Sequence, residues 1–156
     1  MRQQYHFRQS EQGLLAWDVL RLIEITKKLP IIDVPISDIS ELDEEFWYEL
    51  GGAKPTCRSV LEHAALINYV DLSYPIILCH QGRIMDGMHR VCKALLMGQN
   101  SIRAVQLPEY VEPDYIGVDP EDLPYDDETT RTFQLILIKR ARLLAFPSIT
   151  NTILTF

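Results

Sequence analysis

Five consecutive residues, Asp86-Gly87-Met88-His89-Arg90, combine side-chain types suited to holding a phosphate group. They lie between a short apolar run and a stretch with helical signals, so backbone N–H groups at a helix start face whatever binds there. Gly87 allows a ligand to approach the backbone closely. Arg90 suits a bidentate grip on phosphate, and His89 suits hydrogen bonding or proton transfer near neutral pH. The pattern predicts an anion site with phosphate as its ligand.

Asp86 is the member of this group that repels a phosphate. Three arrangements remove the conflict: the carboxylate binds Mg²⁺, forms an ion pair with Arg90, or accepts a proton from a substrate hydroxyl group. A structural interpretation is also open, in which Asp86 caps the helix, His89 is a surface residue and Arg90 pairs with an acid. The sequence alone leaves these alternatives open.

The elements around the motif place it between a strand and a helix. The continuous apolar run at residues 76–79 is typical of a buried strand, and Gln81-Gly82 predicts a tight turn into a second strand at residues 83–85. Helical signals begin at Met88 and end at Gly98, a glycine suited to the position after a helix. Residues 102–107 alternate loosely and predict another strand.

The preceding part of the chain predicts two more helices and an edge strand. Apolar side chains at helical spacing predict a helix over residues 14–29, ended by Pro30. Residues 31–36 are β-rich and contain a proline, which favours an edge strand. Residues 37–48 are acidic and predict a solvated turn or short helix, with two aromatic residues docked on the body. A cap at Thr56 or Ser59 then begins a helix through about residue 70, with Val60, Ala64, Ile67 and Val70 on one apolar stripe.

The start of that last helix carries secondary candidates. Thr56 and Arg58 are suited to completing a phosphate pocket, and Glu62 to acting as a general base. The simpler interpretation is an ion pair between Arg58 and Glu62, which are four residues apart on one helix face. Both interpretations stay open.

Composition limits the classes of function. The chain has 156 residues and a net charge of −7, which disfavours wrapping a nucleic-acid backbone. No apolar run approaches the roughly 20 residues that span a bilayer, and no secretory signal stands at the start, so we expect a cytoplasmic protein without membrane contact. The three cysteines form no C-x-x-C pair and the four histidines lack ligand spacing, so we predict no structural zinc site and assign none of these side chains to a metal.

We expect a single domain over residues 1–156. Its parts are a core at 30–107, a solvated arm rich in Pro and Asp at 108–131, and a C-terminal extension at 132–156. The extension is apolar and β-branched near its end, which predicts either pairing with a second copy in a homodimer or a loose tail.

The segment YPIILCHQGRIMDGMHRVCKALLMGQNSIRAVQL, residues 74–107, resembles the core of the ParB/sulfiredoxin superfamily. The shared layout is a Pro-Ile strand, a short turn, a strand, a (D)G-x-(H/R)-R turn, a helix, a glycine and a further strand. The helix before this segment and the run at 31–36 resemble the preceding helix and first strand of ParB-type domains. The resemblance covers residues 30–107 and implies an α+β fold, a small mixed sheet packed with helices.

The resemblance also implies a ligand and roles for residues. Members of the superfamily place nucleotide phosphates at the turn that corresponds to Gly87, Met88, His89 and Arg90, which implies ATP or CTP, with Mg²⁺ as a further cofactor. The local motif resembles the D-G-H-H-R of free-serine kinases, which phosphorylate a small hydroxyl substrate; only Met88 departs from it. Asp86 and His89 would then be catalytic.

Other branches of the superfamily match less well. Sulfiredoxins carry a reactive cysteine at the position of Met88, and ParB proteins carry G-E-R-R and a following helix-turn-helix, where this chain has an acidic segment. A catalytic glutamate in the preceding helix of kinase-like members corresponds to Glu62.

Three functions remain. The first is a nucleotide-binding enzyme, a small-molecule phosphotransferase or nucleotide hydrolase. The second is a non-catalytic regulatory or interaction module with the same fold, and the third is a DNA-associated protein or nuclease. The acidic charge and the absence of a basic helix pair after residue 108 oppose the third.

Overall fold

The structure, a computed structural model, describes residues 4–48 and 54–125, which belong to one compact unit. The predicted C-terminal extension, residues 132–156, lies outside the described residues. Within the described part the chain forms three α-helices and two β-sheets, which confirms the predicted α+β class. The helices are α1 (Val19–Thr26), α2 (Cys57–Tyr69) and α3 (Met88–Leu96).

The sheet next to the D-G-M-H-R turn has four strands in the order β3-β6-β4-β5. These strands are β3 (Ile31–Pro35), β4 (Ile76–Leu78), β5 (Ile84–Asp86) and β6 (Ser101–Gln106). β6 runs parallel to β4 and antiparallel to β3, and β4 and β5 form an antiparallel hairpin. β3 lies at one edge, as its proline predicts, and β5 lies at the other, so the turn after β5 is at the margin of the sheet.

A second sheet precedes and follows this core in sequence. It contains β1 (Tyr5–Ser10), β2 (Gly13–Asp18) and β7 (Tyr115–Ile116), all antiparallel with β2 in the centre. The sequence reasoning did not predict it. β7 is formed within the segment predicted as a solvated acidic arm, and the carbonyl oxygen of Val111 in that segment accepts the indole N–H of Trp17 at 2.8 Å.

The helix predicted over residues 14–29 is wrong in its first part. Residues up to Asp18 are strand, and α1 begins only at Val19 because the Asp18 carboxylate accepts the N–H of Leu20 at 2.8 Å and caps the helix. Gly13, with φ +106, closes the hairpin that makes β2 a strand. Leu15 lies four residues before Val19, which is helical spacing, although the two residues belong to a strand and to the helix that follows it. The apolar pattern therefore predicted one continuous helix.

Two apolar clusters cover the two faces of the four-stranded sheet. One cluster joins the sheet to α3 and to the segment after β3, and its members include Ile76, Ile84 and Met88. The other joins the sheet to α1 and β2 and includes Trp17 and Met85. Since side chains alternate along a strand, Asp86 continues the face of Ile84 and lies on the α3 side, whereas Met85 lies on the α1 side.

The acidic segment after β3 is only partly solvated. It forms two 3₁₀ turns, Ile36–Asp38 and Ser40–Asp43, and Phe46 and Trp47 pack against the α3-side cluster as predicted. Glu41 departs from the expectation, because its side chain is buried.

Glu41 ties this segment to the β4–β5 hairpin. Its carboxylate accepts the backbone N–H of Ile84 at 2.8 Å and the Nε–H of Arg83 at 3.1 Å. A second carboxylate, Glu44, accepts from Nη2 of Arg83 at 2.5 Å. These bonds fix the segment beside the start of β5.

The remaining predicted elements are confirmed. α2 is capped by Thr56, whose hydroxyl accepts the N–H of Ser59 at 3.3 Å, and ends one residue before Val70. α3 begins at Met88 and ends two residues before Gly98. One detail differs: Val60, assigned to the inward stripe of α2, is 50% exposed. Among the described residues, no helix has the length and apolar character needed to cross a membrane.

Candidate functional site

The turn between β5 and α3 leaves backbone donors free. Gly87, with φ +107, is the N-cap of α3, and its carbonyl oxygen accepts the N–H groups of Arg90 at 2.8 Å and Val91 at 3.1 Å. No side chain caps this helix, and among the described residues the N–H groups of Met88 and His89 have no partner. Two free amides at the positive end of a helix dipole attract an anion.

Asp86 and Arg90, which flank this turn in sequence, form an ion pair. Nη2 of Arg90 donates to the Asp86 carboxylate at 2.7 Å, and the two side chains are 17% and 23% exposed for Arg90 and Asp86 respectively. The same Nη2 lies 3.4 Å from the carbonyl oxygen of Pro75, whereas the buried Nε has no hydrogen-bond partner in the part of the chain that the structure describes. Of the three arrangements open to Asp86, the structure therefore adopts the ion pair with Arg90.

Position 87 requires a glycine for two reasons, the positive φ of its backbone and the close approach of the Arg90 side chain. A Cβ atom at this position would lie 2.7 Å from Nη2 of Arg90 and 2.7 Å from Cγ2 of Ile76. The side of the glycine expected to admit a ligand is thus occupied by the guanidinium group. A ligand therefore does not approach the face of Gly87 that Arg90 covers.

His89 forms a second cluster with two residues from other elements. Its Nε2 lies 3.0 Å from Nδ1 of His63 on α2, so one ring donates to the other. Trp47 stacks on both imidazoles, with ring centroids 4.1 Å from His63 and 4.9 Å from His89. The first turn of α3 therefore carries a histidine pair whose position is fixed by the indole.

Both histidines are held in the neutral form. Burial lowers the pKa of His89 to about 4, with further lowering by His63 and Arg90 against an opposing effect of Asp86. Burial also lowers the pKa of His63, opposed by the charge of Glu62. At neutral pH the pair is uncharged, so it can accept a proton as well as donate a hydrogen bond.

The other candidate residues lie at different distances from this cluster. Met88 is 4% exposed and its side chain packs in the core, so its side chain is not available to a ligand. Thr56 uses its hydroxyl to cap α2 and is exposed, as is Arg58. These two residues precede His63 by seven and five positions, which is about 10 and 8 Å along a helix.

Glu62 is next to the cluster but is not part of its hydrogen bonding. Its side chain is exposed, while the neighbouring His63 is the α2 residue that contacts the turn. Among the described residues no ion pair joins Glu62 to Arg58.

Sequence reasoning did not assign His63 and Trp47 to the site. A signal for Trp47 was present, since it was expected to dock on the body from an acidic segment. For His63 the sequence held no signal other than that the residue is a histidine, because its contact with His89 depends on how α2 packs against α3.

No family model, curated protein or solved structure matches this chain.

The described residues also contain no group of three or more histidine, cysteine, aspartate or glutamate side chains placed to hold a metal ion. Asp86 is engaged by Arg90. The turn therefore does not fit a Mg²⁺ ion held by several protein carboxylates.

Proposed function

We propose that the protein binds the phosphate groups of a nucleotide at the start of α3 and transfers the terminal phosphoryl group to a small hydroxyl substrate. The observation that supports this most is the pair of free N–H groups at Met88 and His89, on the same first turn of α3 as Arg90. Backbone amides, a helix dipole and an arginine together favour a phosphate over other small anions. The resemblance of residues 74–107 to the ParB/sulfiredoxin superfamily is in line with this proposal, with ATP or CTP as the nucleotide.

Arg90 contributes to phosphate binding differently from the bidentate contact that the sequence predicted. Since Asp86 engages Nη2, the arginine supplies positive charge from its place beside Gly87 while the amides make the direct contacts. Asp86 holds Arg90 in place and neutralises part of its charge when no phosphate is bound. Asp86 thus acts as a positioning residue in this proposal.

The histidine pair is the proton acceptor that fits the reaction best. The attacking hydroxyl group loses its proton to a ring nitrogen of His89, and its oxygen forms a bond to the terminal phosphorus. The bond from that phosphorus to the bridging oxygen breaks, and the nucleoside diphosphate leaves. When His89 donates from Nε2 to His63, its Nδ1 is the acceptor. Water in place of the hydroxyl substrate gives nucleotide hydrolysis by the same steps.

The low pKa of His89 makes this base dependent on the ligand. A pKa of about 4 is too low for an effective base at neutral pH. A phosphate group on the neighbouring amides stabilises the imidazolium and raises that pKa toward neutrality. Proton abstraction then becomes effective only when the nucleotide is bound.

The test compares nucleotides with a ligand that lacks phosphate. ATP, ADP and CTP at millimolar concentration should raise the melting temperature of the full chain, whereas adenosine should not. For a dissociation constant near 0.1 mM the gain at 1 mM ligand is about 1.4 kcal/mol, a shift of several degrees. If none of the three nucleotides shifts the melting temperature, phosphate binding at this turn is refuted.

A second measurement separates catalysis from binding. His89→Gln should keep most of the nucleotide-dependent shift but lose turnover of the terminal phosphate by about 10²-fold or more. His80→Gln is the matched control, since His80 is an exposed histidine on the β4–β5 turn. Equal turnover in the two variants would exclude His89 as the proton acceptor and leave a binding module.

A further inference from the structure

Arg8 on β1 is a partly buried cation without a carboxylate partner. Its Nε donates to Nε2 of His6 at 3.0 Å, and its Nη2 donates to the carbonyl oxygen of Ile84 at 3.1 Å and lies 3.2 Å from the sulfur of Met85. The remaining nitrogen, Nη1, has one hydrogen-bond contact among the described residues, with the sulfur of Cys79 at 3.8 Å, and the guanidinium carbon lies 5.9 Å from the centroid of the Trp17 ring. Within the described part of the chain no Asp or Glu pairs with this guanidinium.

The groups around Arg8 do not supply the missing negative charge. His6 is held neutral, because burial lowers its pKa to about 3, with the charges of Arg8 and Arg83 adding to the effect. The acceptors of Arg8 are an imidazole, a carbonyl and two sulfur atoms, all uncharged. Charge removed from water is costly unless an opposite charge compensates it. The weak contact of Nη1 with sulfur leaves this nitrogen able to donate to a stronger acceptor.

A cavity of about 250 Å³ opens beside Arg8. Its walls include Trp17, Met85 and Leu107, which are 2%, 3% and 3% exposed and belong to one packed cluster. Tyr110, at 51% exposed, lies on the solvent side. Since a water molecule occupies about 30 Å³ in the liquid, this volume equals about eight waters.

The cavity is separate from the proposed nucleotide site. Met85 faces it from the α1 side of the sheet, whereas Asp86, the next residue, lies on the α3 side with the turn. The two sites share strand β5 but are lined by opposite faces, so a ligand in one does not contact the other.

We propose that this cavity binds a small monocarboxylate with an aromatic or branched apolar body. The carboxylate accepts from Nη1 of Arg8, and the body lies against Trp17, Met85 and Leu107. An apolar wall with one convergent charged donor is the usual composition of a small-molecule site. The size and the single guanidinium favour a compact acid of roughly eight to twelve non-hydrogen atoms over a nucleotide.

The test uses benzoate and benzamide, which share shape and differ in charge. The indole N–H of Trp17 donates to Val111 at 2.8 Å, so its resonance in an amide proton–nitrogen correlation spectrum reports on the cavity wall. The indole of Trp47, which stacks on His63 and His89, is an internal control. Benzoate should shift the Trp17 signal saturably, leave the Trp47 signal unchanged, and bind at least about tenfold more tightly than benzamide.

Two variants that each lose one positive charge separate the direct contact of Arg8 with the ligand from the effect of the overall charge of the protein. Arg8→Gln should raise the dissociation constant of benzoate by about tenfold or more. Arg103→Gln, which removes an exposed arginine bonded to the carbonyl of Ser73, should leave binding unchanged. Absence of a saturable Trp17 shift, or equal binding of benzoate and benzamide, overturns the proposal. The comparison of benzoate with benzamide is made in the wild-type protein, so it tests the proposal even when Arg8→Gln does not fold. ATP in the same experiment should shift Trp47 instead, so failure of either site is recognised by its own indole.

Discussion

Replacement of Gly87 by alanine tests the geometry of the turn most sharply. The new Cβ atom would lie 2.7 Å from Cγ2 of Ile76 and 2.7 Å from Nη2 of Arg90. Ile76 is fully buried in the sheet and cannot move away, and Arg90 is held by its ion pair with Asp86. The backbone angle, φ +107, adds strain for any residue with a side chain.

The expected cost follows from these contacts. Left-handed backbone costs a non-glycine residue about 1–2 kcal/mol, and forcing an extra methyl group into packed surroundings costs about 1–3 kcal/mol. The reduced entropy of the unfolded chain offsets about 0.4–1 kcal/mol. Gly87→Ala should therefore lower the free energy of unfolding by about 2–4 kcal/mol, most of it from displaced Arg90 and Ile76.

Gly82→Ala is the control. Gly82 has φ +82, but a Cβ atom there would meet nothing within 4 Å. This variant has backbone strain without the overlap, so it should lose at most about 1.6 kcal/mol. Urea unfolding of both variants, followed by tryptophan fluorescence, measures the difference. Equal losses would refute the position of Arg90 against the turn.

Three further predictions concern charge. Asp86→Asn leaves the guanidinium of Arg90 without its counter-charge, so the free energy of unfolding should fall by about 1–3 kcal/mol in urea; no loss would mean that the ion pair is unimportant. Glu41→Gln should cost about 1–3 kcal/mol by the same measurement, because the buried carboxylate accepts the N–H of Ile84, and a neutral effect would contradict its bridging role. The pKa of His89 is about 4 in the folded chain and near 6.5 unfolded, so stability is complete above pH 6.5 and falls as the pH drops toward 4, by about 1–3 kcal/mol. His89→Gln should flatten this part of the pH profile, and an unchanged profile would show that His89 is not buried as described.

The sequence predicted the core elements around the turn because their signals are local. Gly82 and Gly98 mark a turn and a helix end, and the apolar run at β4 has the length of a buried strand. In the sheet of β1, β2 and β7, β2 was missed because its apolar residues continue the helical spacing of α1, and β7 was missed because it is two residues long and lies in an acidic segment. Strand pairing of this kind depends on residues about 100 positions apart, which no local pattern reveals.

The candidate site divides in the same way. The motif itself and the free amides at the start of α3 follow from a strand, a glycine and a helix in sequence. The stacking of Trp47 on His63 and His89 joins three separate segments and follows only from tertiary packing. The burial of Glu41 is of the same kind, since an acidic segment is expected in solvent until an arginine and a free amide from the hairpin engage it.

The central claim is that nucleotide phosphate binds the free amides of Met88 and His89, and an amide proton–nitrogen titration with ATP tests it directly. The account predicts that these two backbone signals show the largest shifts and saturate together, whereas the signals at the start of α2, where Thr56 already caps the helix, change little. Shifts that leave Met88 and His89 unchanged, or an absence of saturable shifts at millimolar ATP, would contradict the account.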